Sequence, residues 1–191
     1  IRIECTSKTV SAYALESAQS SLCVLFLSGG NITLGKERYS EWQQRLKSIG
    51  ISSVSFDYSD TNNLDALSGG GSLKSRIEEG VCLADWMKSH MHAKRYALYG
   101  VSMGGYIALG LISKRPDMME RLILHAPAAY SSKAHILVFG EPFTKEIRKE
   151  NSWQNSRSLQ WLRRFNKPTL FIEAEKDETV PRQITERYKD I

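Results

Sequence analysis

Tyr96-Ala97-Leu98-Tyr99-Gly100-Val101-Ser102-Met103-Gly104-Gly105-Tyr106-Ile107-Ala108-Leu109-Gly110-Leu111-Ile112 is the stretch that decides how this chain reads. Tyr96–Val101 has the pattern of a short strand, and Gly104–Ile112 that of an apolar helix with side chains small enough to pack tightly. Between them, Gly100-Val101-Ser102-Met103-Gly104 is a G-x-S-x-G pentapeptide. A serine at so sharp a strand-to-helix turn sits in strained backbone geometry, with its hydroxyl pushed out above the sheet. The flanking glycines are required because a β-carbon there would collide with a neighbouring strand or helix. Gly105 and Ala108 continue the theme by letting the helix lie close on the sheet. The helix start aims free N–H groups and the positive end of its dipole at the same point. The competing reading is a plain serine at a glycine-rich helix start; the strand before and the helix after argue against it.

Outward from this stretch, short apolar strands alternate with helical patterns. Leu22–Leu27 is apolar on both faces, as a buried parallel strand is, and is broken by Ser28, Gly29, Gly30 and Asn31. Tyr39, Trp42, Leu46 and Ile49 recur at helical spacing, with Gly50 placed to end the helix. Ser52–Tyr58 predicts a second strand, closed by a turn-rich stretch from Ser59 to Ser72. Ile77, Val81, Ala84 and Met87 mark a further helix face. Arg121–Ala126 and Thr169–Glu173 predict two more strands, while Ile1–Leu15 alternates weakly, as one or two antiparallel edge strands do. Strand and helix alternating in this way give an α/β fold, a mostly parallel sheet with helices on both faces. The interval from Pro127 to Pro168 is too long for an ordinary loop. Phe143, Ile147, Trp153, Leu159, Trp161, Leu162 and Phe165 predict short helices in it, so 131–166 is read as a cap-like excursion over one end of the sheet.

Composition bounds the rest. A chain of 191 residues favours a single domain spanning 1–191. Its 41% hydrophobic and 25% charged residues exclude disorder and fibrous classes. No apolar run approaches the length of a membrane span. The net charge of +5 is too mild to argue for nucleic acid, and no zinc-finger, RNP-like or helix-turn-helix spacing occurs. Residues 131–166 carry seven basic against three acidic side chains, a net +4. This is either the solvated face of surface helices or a basic rim that favours an acidic, anionic substrate. Cys5, Cys23 and Cys82 are odd in number and far apart, with no CxxC. That spacing speaks against a metal cage or a disulfide framework and predicts reduced thiols in a cytoplasmic protein. The start at Ile1 rather than Met leaves room for a removed leader.

With these residues in view, the chain resembles the α/β-hydrolase superfamily over nearly its whole length, through three motifs in the family's order. Leu25-Phe26-Leu27-Ser28-Gly29-Gly30 is similar to the strand and His-Gly-x oxyanion loop, with Ser28 where His is usual. Tyr99-Gly100-Val101-Ser102-Met103-Gly104-Gly105 resembles the elbow of the serine aminopeptidase and lysophospholipase-like branch. Ile172-Glu173-Ala174-Glu175-Lys176-Asp177-Glu178-Thr179-Val180-Pro181 resembles the G-x-x-D-x-x-V-P segment, with Ala174 for the glycine. The resemblance implies Ser102 as nucleophile, Asp177 as triad acid, and the backbone N–H groups of Gly30 and Met103 as the oxyanion hole. It implies hydrolysis of an ester or thioester of a small-molecule acyl substrate through an acyl-enzyme, with no metal or organic cofactor. By the same resemblance Trp153, Trp161 and Phe165 line or cover an apolar acyl pocket. Asp57 and Gly69-Gly70-Gly71-Ser72 stand as remnants of a D-x-x-G-x-G-x-S turn, without chemistry.

One part of the triad has no counterpart. Serine needs a base, and the family's order is Ser, acid, His. His90, His92, His125 and His135 all precede Asp177, and no histidine follows it. His90 and His92 belong to an exposed helix end, His125 to a strand end, and His135 to the excursion. One expectation is that the chain is a fragment, with a final strand, helix and histidine-bearing loop after Ile191. The other is a non-catalytic binding or interaction module on the same fold.

Overall fold

The structure is a computed structural model and describes residues 1–6, 8–30, 35–61 and 70–191. Its strands are β1 (Arg2–Cys5), β2 (Lys8–Leu15), β3 (Leu22–Leu27), β4 (Ser52–Asp57), β5 (Arg95–Val101), β6 (Met119–His125) and β7 (Thr169–Ile172). The helices are α1 (Ser40–Ser48), α2 (Leu73–His90), α3 (Met103–Lys114), α4 (Glu141–Ile147), α5 (Arg157–Arg163) and α6 (Arg182–Lys189). The strands form one sheet in the order β1-β2-β4-β3-β5-β6-β7. Pairings from β4 to β7 are parallel; β1 with β2 and β2 with β4 are antiparallel, the edge expected from Ile1–Leu15.

The both-faces-apolar reading of β3 has a direct cause. Cys23, Leu25 and Leu27 enter the large core with α2 and α3, whereas Val24 and Phe26 enter a smaller one with Tyr39, Ala97 and Tyr99 beneath α1. The capping box on α2 is made by Ser72, which accepts from the Ser75 N–H while the Ser75 hydroxyl accepts from the Ser72 N–H. Asp57 caps the short turn Gly35–Tyr39: its Oδ1 accepts the Lys36 N–H at 2.6 Å and its Oδ2 meets Lys36 Nζ at 2.8 Å. Asn31, and residues 62–69 of the expected 59–72 turn with Gly69 among them, lie outside the described residues.

Two expectations need correction. The helix at Trp42 exists, but Trp42 and Ile49 are exposed, and Gln43 is the side chain that enters the core. Its amide donates to the Tyr13 carbonyl and accepts from the Ser55 hydroxyl, so a polar residue is buried at no loss of hydrogen bonding. Cys5 and Cys82, expected to be reduced, form a disulfide between β1 and α2, leaving Cys23 as the free, buried thiol. A cytoplasmic location rested on reduced thiols, and the bridge removes that ground. No described helix is long and apolar enough to cross a membrane.

Candidate active site

Ser102 stands between β5 and α3 with φ 52° and ψ −117°, a backbone conformation L-residues rarely adopt. Hydrogen bonds hold it there. Its N–H donates to the His125 carbonyl at 2.9 Å, and its carbonyl accepts from the N–H groups of Gly105 and Ala128, each at 3.0 Å. The glycines around it are steric necessities. A Cβ on Gly100 would lie 2.5 Å from the Gly104 carbonyl oxygen, one on Gly104 would overlap the Leu27 carbonyl, and one on Gly105 would come within 2.8 Å of Pro127 Cβ. The elbow is thus pressed against β3 on one side and the end of β6 on the other. Ala126, just past β6, also has a positive φ, of 43°.

Ser102 lines an open cavity of about 790 Å³. Asp177 lines the same cavity, held in a turn in which its Oδ1 accepts the N–H groups of Thr179 and Val180, both at 2.9 Å. Gly30 and Met103 line it as well. The terminal methyl of Met103 sits 3.3 Å from where a Gly30 Cβ would be, and a Gly29 Cβ would touch Ser102 Cβ at 3.4 Å. Both glycines therefore let the β3 loop close down on the elbow, and the four residues singled out from sequence meet at one place. Met103 opens α3, so its N–H is one of the unsatisfied donors of a helix start.

The walls differ from expectation. The excursion contributes Phe143 and Ile147 of α4, one turn apart, with Tyr130 at its beginning. Trp153, Trp161 and Phe165 do not line this cavity. Trp161 packs edge-on against Tyr106 and His135, Phe165 is buried in the core, and Trp153 lies against that core. Sequence spacing marked Phe143 and Ile147 as helical but carried no sign that their face met the serine. Arg38, Lys176 and Glu178 complete the cavity's rim, so charges of both signs surround its apolar floor.

No histidine lines this cavity, and each has other neighbours. His90 stacks on Trp86, and exposed His92 pairs with Glu16 at 2.9 Å. His125 is half-buried and shares a 2.6 Å hydrogen bond with the Tyr99 hydroxyl. His135 is buried, sharing one of 3.1 Å with the Tyr106 hydroxyl. Among the described residues, no group of three or more His, Cys, Asp or Glu side chains is placed to hold a metal ion.

Comparison with solved structures shows the same fold. Est1E from Butyrivibrio proteoclasticus, solved with ferulic acid bound, superposes with a TM-score of 0.76 at 15% identity, covering 100% of this chain and 84% of that one. GrgF from Penicillium sp. sh18, an α/β hydrolase, gives 0.73 at 14% identity, over 100% and 84%. An α/β serine hydrolase homologue from Coxiella burnetii gives 0.67 at 15%, over 100% and 80%. No curated protein matches in sequence. The model of one family, serine aminopeptidase S33, matches residues 18–163, a span holding the loop after β3, the elbow and α4. A strained serine at that elbow, on this sheet and within that match, makes the chain a member of the serine aminopeptidase S33 family of α/β hydrolases.

Proposed function

We propose that the protein hydrolyses a carboxylic ester or thioester through an acyl-enzyme on Ser102. The observation that carries this reading is the convergence of Ser102, Asp177 and the Gly30 and Met103 backbones on one cavity with an apolar floor. In the proposed reaction Ser102 Oγ attacks the acyl carbon and its proton passes to a base. The carbonyl oxygen becomes an oxyanion between the N–H groups of Gly30 and Met103, donors worth a few kcal/mol each in such sites. The leaving alcohol or thiol takes that proton as the tetrahedral intermediate collapses. Water, deprotonated by the same base, then attacks the acyl-serine and frees the acid and Ser102.

The base in this proposal is an imidazole oriented by Asp177, which none of the four histidines supplies as placed. Support comes from the engaged state of all four histidines. Arg38 and Lys176 at the rim agree with an anionic acyl substrate, though Glu178 stands beside them. The test is covalent labelling by a fluorophosphonate, read by intact mass, on the natural-length protein and on residues 1–191, with Ser102→Ala as control. Labelling of the natural-length protein, lost in Ser102→Ala, is the expected result. Labelling of neither would overturn the proposal in favour of a non-catalytic binding module.

A further inference from the structure

Beneath the elbow lies a charged pair that the reaction above does not use. Arg76, in the first turn of α2, is fully buried, and its guanidinium meets the Asp60 carboxylate with Nε–Oδ2 and Nη2–Oδ1 distances of 3.1 Å. Two aromatic rings flank it, with Cζ 4.7 Å from the Tyr58 centroid and 4.6 Å from that of Phe139. Its Nη1 donates to Met103 Sδ at 3.2 Å. The methyl beyond that sulfur abuts Gly30. The Met103 side chain is therefore clamped between a fixed guanidinium and the second backbone of the oxyanion hole.

Stability does not account for this arrangement. A cation in the first turn opposes the helix dipole. A buried ion pair generally gains little over well-packed apolar side chains of the same volume. The fold nevertheless makes room for it: a Cβ on Gly71 would overlap Asp60 Oδ2, so that glycine is tied to the pair. What the pair does hold is the Met103 thioether, whose methyl abuts Gly30. We infer that Arg76, fixed by Asp60, is a positioning residue that sets the oxyanion hole through the Met103 thioether. The inference rests on the acyl-enzyme reading above.

The test compares wild type, Met103→Leu, Asp60→Leu/Arg76→Met and the combined triple variant, all in the natural-length protein. The paired replacement avoids leaving a lone buried charge, which would unfold the chain. Fluorophosphonate labelling rates, and kcat and KM on a short acyl ester, are measured on variants shown by circular dichroism to be folded. Expected is a loss of about tenfold or more in labelling rate and kcat, with KM within about twofold, for Met103→Leu and for the pair alike. The triple variant should lose no more than either, because one linkage has been cut at two places. Wild-type rates in the folded pair, or losses that multiply in the triple variant, would overturn the positioning role while leaving the acyl-enzyme reading intact. Absence of labelling in wild type would overturn both.

Discussion

Removing the Cys5–Cys82 bridge is the perturbation whose size follows most directly from the structure. The two cysteines are 77 residues apart, and the bridge ties the edge hairpin to the middle of α2. In the chain-entropy model, freeing a loop of that length returns about 4.5 kcal/mol of conformational freedom to the unfolded state. For a chain of 191 residues the entropy of unfolding is about 0.4 kcal/mol/K, so the loss translates into a Tm lower by about 11 °C. Scanning calorimetry with and without dithiothreitol should show that drop in wild type and none in Cys5→Ser/Cys82→Ser, which starts at the lower value. Thiol titration supplies the chemical check. Cys23 is fully buried and desolvation pushes its thiol up to about 12, so the native protein should present no reactive thiol and the unfolded, unreduced protein one. Three thiols on denaturation without reductant, or a Tm indifferent to reductant, would refute the pairing and restore the ground for a reducing compartment.

Two further outcomes are expected. Gly104→Ala and Gly80→Ala are the same chemical change in different surroundings: the first Cβ overlaps the Leu27 carbonyl, whereas the second meets Leu111, Leu27 and Ile107 side chains at ordinary contact of 3.5 to 3.7 Å. Urea unfolding should show Gly104→Ala destabilised by about 3 kcal/mol or more, and Gly80→Ala unchanged or stabilised by up to about 1 kcal/mol, as helix propensity predicts. The second concerns pH. Burial, and then the charges of Arg157, Lys74 and Lys114, hold the His135 imidazole below its ordinary value of 6.5. The unfolded chain therefore binds this proton more tightly than the folded one, so the contribution is present above pH 6.5 and is lost as pH falls below it. Unfolding measured across that window in wild type and His135→Asn should diverge on the acid side, and a constant difference between the two would refute the assignment.

The strands were legible because burial on two faces leaves an unbroken apolar run, and β3 and β5 are such runs. The elbow was legible for a different reason: a Cβ at positions 100 and 104 would strike neighbouring backbone and one at 105 the Pro127 ring, so sterics wrote the motif into the sequence. Where side chains decide, the pattern misled. Trp42 fits the apolar stripe of α1 better than Gln43 does, yet Gln43 alone can answer both the Tyr13 carbonyl and the Ser55 hydroxyl. Trp161 has a larger ring than Phe143, but it is taken up by Tyr106 and His135 and leaves the cavity wall to α4. Arg76 drew no attention in the sequence, because its partners are tertiary: Asp60 from the turn after β4, Phe139 from the excursion and Met103 from the elbow.

The same distinction bears on the base. Ser102 is fixed by backbone hydrogen bonds within the elbow and to the end of β6, and Asp177 by its own turn. A histidine in that reaction has to be brought in by tertiary structure. In the proposed reaction it would meet Asp177 at Oδ2, since Oδ1 already accepts the N–H groups of Thr179 and Val180. His125 is engaged elsewhere. It lies on the strand beside β7, but its Nδ1 bonds Tyr99, whose ring belongs to the small core under α1 rather than to the cavity. His135 is excluded by its burial against Tyr106. The proposed base is thus a matter of tertiary packing, which the local motifs at Ser102 and Asp177 do not encode.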